Sequence, residues 1–311
     1  MKLSLVIPCF NEEANIMPFY QASKEIFADC EVEWVFVNDG SKDGTLTVLK
    51  ELYAQERGIK IVNLSRNFGK EAAMYAGLKE SAGEYVTIID ADLQQHPRYA
   101  REMMEFLDTH PEYDAVAAYQ AERKEGKGLS FFKKLFYKLI NRMCEIDFRS
   151  GASDFRTLRR SVVESVLSMQ EYFRFSKGLF SWVGYETYYM PYTVAHRNAG
   201  KSTWSFKKLC RYALEGIIAF STAPLTLAVY LGGIFSFLSL LYMVVVIIQK
   251  LFFGIDVPGY PTLIVLILLL GGIQMILLGI IGQYIAKIYI EGKKRPIYIA
   301  REVLSKDEKD A

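Results

Sequence analysis

Charge is missing from two long stretches of this chain. No Asp, Glu, Lys or Arg occurs from Gly216 to Gln249, and none from Val257 to Ala286. Each stretch exceeds the ~20 apolar residues that cross a bilayer, and buried helices of soluble proteins rarely stay uncharged that long. Two membrane spans are therefore expected, at Pro224–Ile248 and Pro261–Ile285. Paired cysteines are missing too. Cys9, Cys30, Cys144 and Cys210 are scattered, without disulfide or zinc spacing, as expected of reduced cytosolic thiols. Neither Gly-x-Gly-x-x-Gly nor a Walker loop occurs, so a bound phosphate must be met by metal and basic side chains instead of a glycine-rich cradle. The opening run Met1–Pro8 is too short and too soon broken for a secretory leader, and reads as a first strand. A net charge of +2 excludes little; where the charges sit says more.

Basic residues collect on one side of the spans. Arg197, Lys201, Lys207, Lys208 and Arg211 precede the first, and Lys287, Lys293, Lys294, Arg295 and Arg301 follow the second. The loop between them holds only Lys250 and Asp256. Positive residues stay on the cytoplasmic side, so both termini are expected there, with a short loop outside. Two further stretches read as helices lying on the membrane surface. In Gly128–Phe148 an apolar stripe (Phe132, Leu135, Phe136, Leu139, Ile140, Met143) opposes Lys133, Lys134, Lys138 and Arg142. In 206–217, Phe206, Leu209, Cys210, Ala213 and Ile217 alternate with Lys207, Lys208, Arg211 and Glu215. Such faces fit an anionic lipid interface; the alternative is a packed helix with a solvated basic face. Because the basic residues adjoin the spans, they form no separate nucleic-acid patch.

Ahead of these segments, strands and helices alternate. Strands are expected at Leu3–Pro8, Val32–Val37, Ile59–Leu64, Tyr85–Ile89 and Tyr113–Tyr119. Helices follow the Asn11-Glu12-Glu13 turn as far as Phe27, the Asn38–Ser41 turn (with Asp43 or Thr45 as N-cap), and then occupy Lys70–Ser81 and Pro97–Thr109. This is the α/β pattern of a doubly wound, mostly parallel sheet, whose ligands sit at the carboxyl ends of the strands. The polar turns after strands one, two and four should then converge on one crevice. The fourth strand ends in Asp90-Ala91-Asp92-Leu93-Gln94. Positions i, i+2 and i+4 project to one side, so Asp90, Asp92 and Gln94 can offer oxygens to a single magnesium or manganese ion bridged to phosphates. A bare Asp-x-Asp also occurs in plain turns; its setting is what gives it weight.

An ordered set of short motifs resembles the family 2 glycosyltransferases of GT-A fold, and more closely their polyprenyl-phosphate group, which contains dolichyl-phosphate mannose synthase and the bactoprenol glucosyltransferases. The set runs through Val6–Glu13, Val37–Ser41, Leu64–Lys70, Asp90–Gln94, Arg174–Gly178 and Arg197–Ser202, and the bacterial members also look similar in their two carboxy-terminal spans. The resemblance implies a UDP-sugar donor, a divalent cation (magnesium or manganese), and a polyprenyl phosphate acceptor, undecaprenyl phosphate in a bacterium. By the same resemblance, Pro8, Glu12, Asp39, Arg66, Lys70 and Asp90 would bind the nucleotide sugar. Asp90, Asp92 and Gln94 would hold the metal, Arg197 and Ser202 the acceptor phosphate. Asp154 matches a position proposed as general base, with Asp92 beside it in the catalytic set. Taken alone, Glu12 could merely favour a helix dipole, Asp39-Gly40 could be a turn, and Arg197 could anchor headgroups.

Asp154 stands in Gly151–Arg156, where the family's usual Gly-Asp-Phe-Arg is Ser153-Asp154-Phe155-Arg156. A capping box at Ser161-Val162-Val163-Glu164 would start the next helix, leaving Asp154 in or before a short strand. A phosphate monoester has a second pKa near ~6 and is already a nucleophile at neutral pH, so Asp154 could orient the acceptor instead of deprotonating it. The chain divides into a nucleotide-sugar half (1–120), an acceptor half (121–202), a juxtamembrane helix (203–222), a transmembrane hairpin (223–289) and a cytoplasmic tail (290–311). The expected reaction is an inverting single displacement that gives a polyprenyl phosphosugar. A processive polysaccharide synthase fits less well, because its Gln-x-x-Arg-Trp signature is absent: Gln170–Phe175 has the wrong spacing. A non-catalytic scaffold is opposed by the intact Asp90, Asp92 and Asp154, and a soluble nucleotidyltransferase by the spans. Gly232-Gly233, Gly271-Gly272, Gln274, Gly279 and Gly282-Gln283 permit helix association into a homo-oligomer. Glucose and N-acetylglucosamine are the leading sugars by resemblance, with no short motif separating them.

Overall fold

The computed structural model describes residues 2–120, 152–193, 221–253 and 259–306. The surface-helix stretches 128–148 and 206–217, and with them Arg197 and Ser202, lie outside the described residues. Eight strands form one sheet: β1 (Leu3–Cys9), β2 (Val32–Asn38), β3 (Ile59–Leu64), β4 (Tyr85–Ile88), β5 (Ala115–Gln120), β6 (Ala152–Arg159), β7 (Thr187–Tyr192) and β8 (Ala300–Ser305). The helices are α1 (Glu13–Ile26), α2 (Thr45–Gln55), α3 (Lys70–Glu80), α4 (Pro97–Thr109), α5 (Arg160–Ser168), α6 (Ser176–Trp182), α7 (Ala223–Phe253) and α8 (Tyr260–Gly292). Strand order is β7-β5-β6-β4-β1-β2-β3-β8.

The first four strands are parallel neighbours and are buried nearly throughout, which is why they read as continuous apolar runs. Alternate residues feed two cores. Leu3, Leu5, Ile7, Phe36 and Ile61 meet Phe19 of α1, Leu49 of α2 and Met103 of α4. On the other face Val6, Val35, Val37 and Val62 meet Ala73 and Met74 of α3, Val162 of α5 and Phe180 of α6. Gly77 lets α3 lie this close: a Cβ there would stand 2.3 Å from Val6 Cγ1.

Local patterning did not foretell three features. β6 inserts between β4 and β5 and runs antiparallel to both, so a segment from beyond residue 120 enters the sheet built by the first 120. The Ser161–Glu164 capping box does not form. α5 starts at Arg160 behind an extended Arg159 that provides no side-chain cap, because tertiary bonds place it: Arg160 N–H donates to Glu84 O (2.9 Å) and Arg159 Nη2 to Leu107 O (2.7 Å). Finally, the stretch read as a tail returns to the sheet as β8, antiparallel to β3.

α7 and α8 carry apolar spans at Ala223–Gln249 and Val265–Gly292, long enough to cross a membrane. Their large side chains face outward, Val229 73% and Ile276 66% exposed, as a helix in lipid requires and a helix in water would not tolerate. At the base of the pair Tyr284 Oη donates to Ser221 O (2.7 Å).

Candidate active site

The turns at the carboxyl ends of β1, β2 and β3 bind one another through backbone amides. Asn11, in the left-handed region at φ 58°, accepts the Lys42 N–H on Oδ1 (2.9 Å) and donates its own N–H to Ser41 Oγ (3.0 Å). Glu12 N–H donates to Thr45 Oγ1 (2.9 Å), and Glu12 Oε2 accepts from Asn15 Nδ2 (2.6 Å). α2 follows Gly44, and Asp43 serves it from one residue further back by accepting the Thr45 N–H (3.1 Å). Asp39 is 3% exposed. Its two oxygens accept the N–H groups of Phe68 (2.7 Å) and Gly69 (2.9 Å). Burial pushes this carboxyl up despite the two amides, which pull it down. Gly40, at φ +64°, has the Arg66 carbonyl carbon 2.4 Å from where a Cβ would be. Asp39-Gly40 therefore shapes the Arg66–Gly69 loop, while Pro8 holds its place in β1 opposite Val37. Arg66 lies over the Phe68 ring at 4.0 Å.

That loop delivers Lys70 to a second, charged cluster. Lys70 Nζ lies 2.6 Å from Asp90 Oδ1, 2.9 Å from Oδ2 and 3.5 Å from Asp154 Oδ2. Burial opposes the Lys70 charge, but Asp90 and Asp154 outweigh it and hold the ammonium protonated. Burial likewise opposes ionisation of Asp154, yet Lys70, then Lys177 and Arg156, keep its carboxyl below the usual range. Asp154 Oδ1 is buried without a hydrogen-bond partner among the described residues. Glu71 differs: burial and the Asp154 charge push it up to about 7, against hydrogen bonds from Ser176.

Asp92 is 7% exposed and its Oδ1 accepts the Gln94 N–H (3.1 Å). Leu93 between them sits at φ 58°, a costly conformation for a branched side chain and one that clusters at functional sites. The sequence pattern points to Gln94 as the amide of this cluster; the amide bonded to Asp90 is that of Gln95, which accepts the Asp90 N–H (3.1 Å) and donates to Asp90 Oδ2 (3.3 Å). The backbone leaves strand geometry after Ile88, so the i, i+2, i+4 rule stops applying there. A hard divalent cation suits the Asp90 and Asp92 oxygens, and the Lys70 ammonium against Asp90 shows where positive charge is accepted. Among the described residues no three His, Cys, Asp or Glu side chains form a cage. Sequence reasoning missed Glu71, Gln95, Ser176 and Lys177; the first stands one residue beyond the Leu64–Lys70 motif, and the last two lie inside Arg174–Gly178.

The site thus combines an open, mostly parallel sheet with paired aspartates beyond its fourth strand, in a chain that also carries two apolar helices long enough to cross a membrane. The model of "Glycosyl transferase family 2" matches residues 4–167, and the chain belongs to that family. A "Prophage bactoprenol glucosyl transferase homolog" of Escherichia coli (strain K12) is 40% identical over 97% of this chain and 99% of its own length. A "Bactoprenol glucosyl transferase" of Shigella phage SfV is 41% identical, over 97% and 98%. Among solved structures, glucosyl-3-phosphoglycerate synthase from Mycobacterium tuberculosis in complex with Mn2+, UDP-glucose and phosphoglyceric acid aligns with TM-score 0.43 at 19% identity, over 70% of this chain and 77% of that one.

Proposed function

We propose that this enzyme moves a hexose from UDP to undecaprenyl phosphate at the cytoplasmic membrane surface, giving a lipid-linked sugar for cell-envelope glycans. Glucose is favoured over N-acetylglucosamine by the bactoprenol glucosyl transferase relatives. The observation that carries the reading is the Lys70 bridge between Asp90 and Asp154, which joins the end of β4 to β6. The turns at Pro8, Glu12 and Asp39, with Arg66, border the nucleotide side. A cation held by Asp90 and Asp92, with Gln94 or Gln95 in support, would neutralise the departing diphosphate. Lys70 keeps positive charge between donor and acceptor. Asp154, ionised and paired, is a poor proton acceptor, since a general base works best near the operating pH. The acceptor phosphate, already a dianion above ~6, needs orienting more than deprotonating, and Asp154 would serve that by holding the Lys70 ammonium in place to meet it. Arg197 and Ser202 would grip the phosphate, the arginine bidentately.

β8 supports placing the segments before and after the hairpin on one side of the membrane, since they share one sheet, and the basic residues flanking the spans favour the cytoplasmic side. Cysteine labelling tests this, with Cys at position 258 reached only from outside and Cys at 305 only from inside. Within one chain, Ser236, Ser239 and Gln274 line a groove between α7 and α8; association into a homo-oligomer rests on the small residues of the two apolar helices, such as Gly232-Gly233 and Gly271-Gly272. The deciding experiment is a donor screen with purified protein, undecaprenyl phosphate and Mg2+ or Mn2+. UDP-glucose turnover that EDTA abolishes is expected; no turnover with any UDP-sugar overturns the reading. Arg197→Ala should weaken acceptor use far more than UDP-sugar binding, and Arg197→Lys should restore only part of it.

A further inference from the structure

The segment Tyr172–Lys177 leads out of the α5–α6 connection into the first residues of α6, and carboxylates from distant parts of the chain hold it at Tyr172 and Ser176. At its start, Tyr172 N–H donates to both oxygens of Glu291 in α8, at 3.2 and 3.1 Å. At its end, Ser176 donates its backbone N–H (3.0 Å) and its hydroxyl to Glu71 Oε2 in α3. The residues between repeat this division. Lys287 of α8 lies 5.5 Å over the Phe173 ring, and Arg174 lies 4.5 Å over Tyr75 of α3. One residue past the second anchor is Lys177, whose charge acts on Asp154. Arg156, two residues beyond Asp154, stacks at 3.9 Å on Phe180 of α6, so the helix carrying Lys177 is also seated against β6.

The two carboxylate anchors and the two cation–ring contacts at Phe173 and Arg174 tie the segment either to α3, which begins with Lys70, or to the carboxyl end of the second apolar helix. We propose that Glu71 and Glu291 are positioning residues: they stretch Tyr172–Lys177 between α3 and α8, so that the membrane hairpin sets where Lys177 stands relative to Asp154. The segment is a strap through which the placement of α8 reaches the charged cluster. This inference rests on the transfer reaction proposed above. A positional error of about 1 Å in such a cluster costs up to about a hundredfold in rate, whereas a nucleotide bound by the β1–β3 turns would not register it.

The test uses full-length protein in nanodiscs, with UDP-glucose and undecaprenyl phosphate, and three substitutions at one position. Glu291→Ala should lower kcat by about ten- to a hundredfold while KM for UDP-glucose stays within about twofold. Glu291→Gln keeps an oxygen at the same reach to accept the Tyr172 N–H, and should restore most of kcat. Glu291→Asp keeps the charge but is one methylene too short, and should behave like Ala. Asp above Gln would mean that charge alone matters, and would overturn the strap, as would wild-type kcat in Glu291→Ala. If Glu291→Ala fails to fold, the Gln and Asp variants still decide. Combining Glu71→Gln with Glu291→Ala should cost less than the product of the single losses, because both act through one strap; strictly multiplicative losses overturn it. Loss of turnover in Asp92→Ala together with unaffected Glu291 variants removes the strap alone, whereas absent UDP-glucose turnover in the wild type removes the transfer reading itself.

Discussion

Two regions meet in the crevice and are held by opposite means. The turns after β1, β2 and β3 are locked by neutral and charged side chains accepting backbone N–H groups: Asn11 from Lys42, Asp39 from Phe68 and Gly69. The cluster of Lys70, Asp90 and Asp154 is held mainly by ion pairs, with the Gln95 amide the one side-chain amide on Asp90 among the described residues, and Lys70 is 42% exposed. Amide bonds fix a shape, because their geometry is directional. Ion pairs at an open crevice can exchange one partner for another, because attraction between charges is weakly directional and screened by water. The first region should therefore answer substitution with lost stability, the second with lost chemistry.

The largest expected effect lies on the charged side. Asp92→Ala should cut transfer by about a thousandfold or more, several kcal/mol of transition-state stabilisation, while the protein stays folded and membrane-bound; near-wild-type turnover, or turnover in EDTA, would break the contrast. On the amide side Gly40→Ala should cost about 2–3 kcal/mol, from a left-handed backbone and overpacking against Arg66, read as a lower unfolding midpoint. A midpoint equal to the wild type would show that the turn is looser than its contacts. Asp154→Asn should lose about tenfold at pH 8 if Asp154 orients the acceptor, against up to ~10⁴ for an obligatory base. The pH profile separates the two. Lys70 holds the Asp154 carboxyl low, so Asp154 stays ionised from pH 5 to 8 and adds no bend, and its share of stability is lost only as pH falls below ~4. The rise in rate through ~6 belongs to the acceptor phosphate, and the Asn variant should keep it; an inactive Asn variant at every pH would make Asp154 a base. Glu71, pushed up to about 7, adds a smaller bend, the rate rising as its ionised form grips Ser176, and Glu71→Gln should flatten it. Smallest of all, Lys50→Ala breaks an exposed pair with Glu302 (2.8 Å) and should move stability by no more than about 0.5 kcal/mol.

The amide-locked region was the more legible of the two. Its strands are apolar runs bounded by Gly, Asn and Asp, and β1 to β4 end within two residues of where the pattern stops them. The charged cluster was legible only in part. Asp90, Asp92 and Asp154 announce themselves as carboxylates at strand ends, but that Lys70 spans two of them depends on β6 lying beside β4, a pairing between segments some seventy residues apart. Local periodicity carries no register between distant strands. β8 escaped for a different reason: Arg301 and Glu302 on a half-exposed edge look like a solvated tail. Gln95 was displaced by Gln94 because a period-two argument was extended past the end of its strand.

The eighth strand also governs when the fold can close. Ribosomes deliver β8 after both apolar helices, so until the hairpin is complete β3 presents a bare row of peptide groups to solvent. Completion of the sheet is thereby timed by synthesis of the hairpin. Crowded nascent chains would be prone to edge-to-edge pairing in that interval, and a fragment ending before the hairpin would keep the vulnerable edge for its whole lifetime.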